Sequence, residues 1–138
     1  MIVVHKNGLY YKKPNKELSV KKRRKYLSMI AEIHQKIKKE GIENIPDAWF
    51  EDDEEGGYLV EKAIPFPNVY SLYDELTNKE KKEINEKRFK MLNDIKKKTG
   101  IIIYDSNLRN ALYDKENKEV YLIDFEQANV LKKAGFTK

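Results

Sequence analysis

An α+β fold in two parts is predicted for this chain: a small antiparallel sheet with one packed helix, then a hinge, then a mainly helical part bearing a short hairpin. Three observations predict it. Asn7-Gly8 separates two β-prone runs, a strong signal for a tight hairpin. An apolar stripe at helical spacing runs from about Leu18 to Lys39. Pro65 and Pro67 mark a non-helical crossing, after which helical periodicity resumes. These boundaries place the small part at residues 1–64 and the second at 65–138.

The elements follow in order. Residues 2–5 and 9–12 read as the hairpin strands, with Pro14 ending the second. Tyr26, Ile30, Ile33 and Ile37 form the stripe of the first helix, which Leu27 and Met29 broaden and Gly41 stops. Residues 42–50 read as loop and strand around Pro46. Glu51-Asp52-Asp53-Glu54-Glu55-Gly56-Gly57 reads as a solvated acidic turn, and Tyr58-Leu59-Val60-Glu61 as the next strand. Ser71 to Leu76 reads as one short helix. Thr77-Asn78-Lys79-Glu80 is a capping-box pattern, in which hydroxyl and carboxylate each satisfy a free backbone donor. The helix it opens carries Ile84, Met91, Leu92 and Ile95 on one face and ends near Gly100. Ile101-Ile102-Ile103 is expected to be a buried strand. Ala111-Leu112-Tyr113 and Val120-Tyr121-Leu122-Ile123 flank a charged hairpin loop, Asp114 to Lys118.

Composition sets the outer bounds. The chain has 138 residues, 28 of them basic and 23 acidic, for a net charge of +5. That excess favours an acidic or polyphosphate partner but no continuous basic stripe, so nucleic acid is the least favoured partner. With no cysteine, disulfides and thiolate metal sites are excluded. No stretch approaches the ~20 apolar residues of a membrane span, and a cytoplasmic protein without membrane partners is expected. His5 and His34 lack metal-ligand spacing and read as structural or surface residues; Walker A and GxSxG motifs are absent.

The chemistry concentrates near the C-terminus. Asp105-Ser106-Asn107-Leu108-Arg109-Asn110 follows the triple-isoleucine run, and Asp124 follows another apolar strand. Asp105 can accept a proton from an attacking hydroxyl. Asn110 offers a neutral oxygen to a hard cation, and Asp124 supplies a charged one, a sparse set of the kind magnesium takes together with substrate phosphates. The structural alternative is that Asp105 and Asn110 make Asx turns while Asp124 caps a strand end.

Residues 100–114 and Ile123-Asp124-Phe125-Glu126 resemble the catalytic loop and the DFG segment of the protein-kinase-like superfamily. The resemblance implies a reduced protein-kinase-like fold, closest in style to minimal serine/threonine-kinase-like or lipopolysaccharide-kinase-like members. It implies ATP and Mg²⁺ as cofactors, Asp105 as the catalytic acid–base residue, and Asn110 and Asp124 on the metal. It also implies a phosphate-holding lysine on a small-lobe strand, Lys13 with Lys12 as the alternative, and an orienting glutamate on the following helix, Glu32. Val60 would back the adenine pocket, and the backbone of Glu61 to Ala63 would meet the adenine edge.

The departures from the family pattern are specific. There is no GxGxxG, since one residue precedes the first strand. Ile103 and Tyr104 stand where the family has His and Arg, Asn107 replaces a basic residue, and Glu126 replaces the DFG glycine. No room is expected for an activation segment after Glu126. Two functions are therefore carried forward. One is a phosphotransferase acting on a protein or small-molecule hydroxyl, with an activating protein partner as a further expectation. The other is a pseudokinase that binds nucleotide or regulates a partner.

Overall fold

Asn7 and Gly8 have φ of 52° and 77°, both left-handed, as a two-residue hairpin turn requires. They join strands β1 (Ile2–Lys6) and β2 (Leu9–Lys13), each a residue longer than expected. The computed structural model describes residues 1–15, 17–104 and 107–125. These fall into two compact units, the first comprising residues 1–36 and 46–63 and the second residues 37–45 with 64 onward.

Helix α1 (Val20–Lys39), most of which belongs to the first unit, starts after Ser19, whose hydroxyl accepts from the Lys22 N–H at 3.2 Å. Strands β3 (Ala48–Glu51) and β4 (Tyr58–Lys62) complete a four-stranded antiparallel sheet of order β1-β2-β4-β3. Along β4, Leu59 lies opposite both Lys12 and Phe50, and Glu61 lies opposite both Tyr10 and Ala48. Side chains alternate along each strand, so Lys12, Phe50, Ala48, Leu59 and Glu61 share one face. That is the face α1 covers, because Leu27, Ile30 and Ala31 of α1 form one buried cluster with Ala48 and Leu59. His34 is buried on the same helix; its Nδ1–H donates to the Pro46 carbonyl at 3.0 Å, so it is a structural residue.

The acidic turn between β3 and β4 is built around Asp53. Its Oδ1 accepts from the N–H groups of Glu55 and Gly57, both at 2.8 Å. The Gly57 bond is the main reason its carboxyl sits below the ordinary aspartate range. At Gly57 (φ 82°) a Cβ would stand 2.3 Å from the Glu51 carbonyl oxygen, so only glycine fits. Arg24 pairs with Asp52 at 2.7 Å, and Arg23 donates to the Gly57 carbonyl at 2.9 Å, which ties the turn to α1.

In the second unit, α2 (Val69–Leu72) is capped by Asn68, whose Oδ1 accepts from the Ser71 N–H at 2.8 Å. A 3-10 turn follows at Tyr73–Glu75, so the single helix expected over 71–76 is two shorter pieces beginning earlier. Helix α3 (Asn78–Thr99) begins with the capping box. Glu80 N–H donates to Thr77 Oγ1 at 3.1 Å, and Thr77 N–H donates to Glu80 Oε1 at 3.0 Å. Its buried line is Ile84, Arg88, Ile95 and Thr99, with Met91 and Leu92 half-buried.

The triple-isoleucine run is not a strand. Ile101 is buried, but its N–H donates to Thr99 Oγ1 at 3.1 Å, and Ile103 makes only an isolated bridge. The end of α3 thus takes the donor that a ladder would need. Strands β5 (Ala111–Asp114) and β6 (Glu119–Leu122) form the second hairpin. Asp114, almost fully buried, accepts from both Asn117 N–H (3.2 Å) and Asn117 Nδ2 (2.8 Å) across its turn. Asn44 holds the other side of β6: its Nδ2 donates to the Val120 carbonyl at 3.0 Å, and its carbonyl accepts from Leu122 N–H at 2.9 Å. Among the described residues no helix is long and apolar enough to cross a membrane.

Candidate functional site

In the first unit, the polar residues of interest lie on strands. Lys12 Nζ stands 2.6 Å from Glu61 Oε2, with the two side chains only 15% and 4% exposed. This is a diagonal pair, since Lys12 lies opposite Leu59 and Glu61 is two residues further along β4. Lys13 falls on the other face of the sheet by alternation, and it lines an open groove with Ile2, Pro14, Leu18 and residues of the start of α1. Glu32 is exposed on α1. The expected pairing of Lys13 with Glu32 is therefore not the arrangement found; the buried carboxylate beside a strand lysine is Glu61, and the lysine is Lys12.

Val60 is fully buried, opposite Tyr11 and Trp49, on the face that Lys12 and Glu61 do not occupy. The strand segment expected to meet adenine is also engaged. Lys62 N–H donates to the Asp47 carbonyl at 2.8 Å, and Ala63 N–H donates to the Gly8 carbonyl at 2.9 Å. An adenine edge approaching Glu61 to Ala63 would find those two donors taken.

In the second unit, the polar residues sit at the ends of elements. A 3-10 turn, Leu108–Asn110, leads into β5. Asn107 caps it: its Oδ1 accepts from Arg109 N–H and its carbonyl from Asn110 N–H, both at 2.9 Å. The Asn110 carbonyl in turn accepts from Ile123 N–H at 2.9 Å. That bond brings Asn110 beside the residue that precedes Asp124. Asp124 is half-buried with φ 65°, a left-handed conformation that aspartate tolerates better than most residues. Asp105 and Glu126 lie outside the described residues.

Beneath these loops is a cavity of about 10 Å³, room for roughly one water, lined by residues including Arg88, Asn107, Asn110, Ile123 and Phe125. Arg88 is a buried charged residue of α3. It donates to Asn85 Oδ1 at 2.9 Å, and burial pulls its guanidinium below the usual arginine range. Nothing in its sequence context marks it, because a basic residue interrupts an apolar stripe and reads as solvent-facing. Arg109, exposed, lies over the Tyr70 ring at 4.0 Å. Among the described residues no group of three or more His, Cys, Asp or Glu gathers as a metal cluster. Asn110 and Asp124 are one amide and one carboxylate, both hard oxygen donors of the type that magnesium accepts.

No family model matches the sequence, and no curated protein matches it. Solved structures do. The Cydia pomonella granulovirus kinase PK-1 is similar with a TM-score of 0.65 at 19% identity, over 88% of this chain and 43% of that one. The bifunctional kinase-methyltransferase WbdD is similar with a TM-score of 0.61 at 18% identity, over 88% of this chain and 28% of that one. WbdD in complex with the kinase inhibitor LY294002 gives 0.58 at 16% identity, over 91% and 32%. This chain thus has an α+β fold resembling part of a protein kinase, and it spans less than half the length of the structures it resembles.

Proposed function

We propose that the chain is an ATP- and magnesium-dependent phosphotransferase that transfers the γ-phosphate to a protein or small-molecule hydroxyl. The observation that carries this reading is the kinase-like fold over 88% of the chain. The backbone bond that sets Asn110 beside the Asp124 segment supports it. Asn110 and Asp124 would hold magnesium, which would supply neutralisation of charge on the phosphate oxygens. Lys12 takes a phosphate oxygen through its ammonium. The acceptor hydroxyl oxygen bonds to the γ-phosphorus as the bond from that phosphorus to the β–γ bridging oxygen breaks. ADP leaves, and the hydroxyl proton passes to the Asp105 carboxylate.

Calorimetry with ATP and magnesium tests the metal assignment. Asp124→Ala is expected to abolish magnesium-dependent nucleotide binding, and unchanged binding would remove Asp124 from the site. Radiolabel transfer tests the reaction: Asp105→Asn is expected to lose transfer while the fold persists.

A second reading is favoured by the engaged N–H groups of Lys62 and Ala63. With those donors taken, adenine is held weakly, and the chain acts as a pseudokinase that regulates a partner. Absence of transfer by the unaltered protein to every candidate acceptor, with nucleotide binding intact, selects this reading over the first.

A further inference from the structure

We infer that Glu61, and not a glutamate of helix α1, is the positioning residue of Lys12, so that the lysine's aim is set by the sheet alone. This rests on the reading of Lys12 as the group that holds a phosphate. Three observations carry it. The Lys12 ammonium and Glu61 carboxylate are 2.6 Å apart, with the carboxylate side chain 4% exposed. The strand register makes their closeness a consequence of β2–β4 pairing, since Lys12 opposes Leu59 and Tyr10 opposes Glu61. Glu32, the helical alternative, is exposed.

An ion pair at such a site contributes little net stability, because desolvation offsets most of its attraction, and an apolar pair would pack as well. What the pair does supply is direction. A lysine side chain has four rotatable bonds and a compact charge, so without a fixed partner its ammonium samples many positions. Glu61 occupies one of the three donors of the ammonium and leaves two for an incoming phosphate. Because both residues are on hydrogen-bonded neighbouring strands, their closeness comes from the sheet register, and the partner of Lys12 is no residue of α1.

The test compares binding of magnesium-ATP and of adenosine, by calorimetry, for the full chain and four variants. Lys12→Met is expected to weaken ATP binding at least about tenfold, the loss of one charge-assisted contact, with adenosine unchanged. Glu61→Gln is expected to weaken ATP by about fivefold to tenfold and to leave adenosine unchanged, because only the phosphate contact loses its aim. Glu32→Gln is expected to bind both within about twofold of the unaltered chain, as a substitution at an exposed site should. If Glu61→Gln does not fold, Glu61→Asp keeps the charge and withdraws it by one methylene, and the same ATP-selective loss is expected. Loss of ATP binding in Lys12→Met but not in either Glu61 variant overturns the inference and leaves the reading of Lys12 standing. Equal weakening of ATP and adenosine in the Glu61 variants also overturns it, since that is a structural effect. ATP binding untouched by Lys12→Met overturns both.

Discussion

The two units fix their polar residues in different ways. In the first, Lys12 and Glu61 are interior strand residues, and their meeting follows from register and alternation. In the second, Asn110 and Asp124 stand at the ends of elements, placed by one backbone hydrogen bond and one left-handed φ. A strand face is all-or-none: a slip of one residue would send Lys12 to the far side and bring Lys13 in its place. A loop end is graded, since each dihedral shifts the side chain by degrees. The first unit therefore has a polar pair as firm as its core, whereas the second relies on caps and turns.

That contrast can be broken at its firmest point. Leu59 lies opposite Lys12 and is 1% exposed in the cluster with Leu27, Ile30, Ala31 and Ala48. Leu59→Ala should cost about 3 kcal/mol in urea denaturation, the sum of lost burial and a residual cavity. A cost below about 1 kcal/mol would mean this face is loosely packed and the pair no firmer than a loop.

A smaller effect is expected in the second unit. Thr77→Ala removes the hydroxyl that accepts the Glu80 N–H and should cost about 1 kcal/mol. A cost equal to that of Leu59→Ala would reverse the comparison. The same cap has a pH signature. The Thr77 N–H holds the Glu80 carboxyl below the ordinary glutamate range. A carboxyl so lowered contributes fully above that range, and the contribution disappears as pH falls through the lowered value. Thermal melts of the unaltered chain and Glu80→Gln should therefore differ near neutral pH and converge as the solution is acidified below the glutamate range.

The smallest effect should be a gain. Lys118 has φ 55° in the turn between β5 and β6, where a side chain is strained and glycine is not. Lys118→Gly should raise stability by about 0.5–1 kcal/mol in the same denaturation assay. The carbonyl that accepts from Lys87 Nζ is backbone and survives the change. A loss instead would show that the lysine side chain, rather than the turn geometry, holds this hairpin.

Local signals in the chain were legible because their causes are local. Asn7-Gly8 dictates its own turn, and Thr77 with Glu80 closes its own cap within one helical turn. The Ile101–Ile103 run reads as a strand but is not one, because apolar character alone does not say where backbone donors go, and Thr99 takes the first. Arg88 is the converse case, its charge concealing a buried position.

The hairpin, the two long helices and the capping box are legible in the amino-acid order alone, since each depends on neighbours a few residues away. That Lys12 and Glu61 face each other, and that Lys13, Glu32 and Val60 lie elsewhere, emerges from the strand pairing and the packing of α1. The reason is topological: β2 and β4 are neighbours in the sheet although α1 and β3 lie between them in the chain, and which lysine faces inward depends on which face α1 covers.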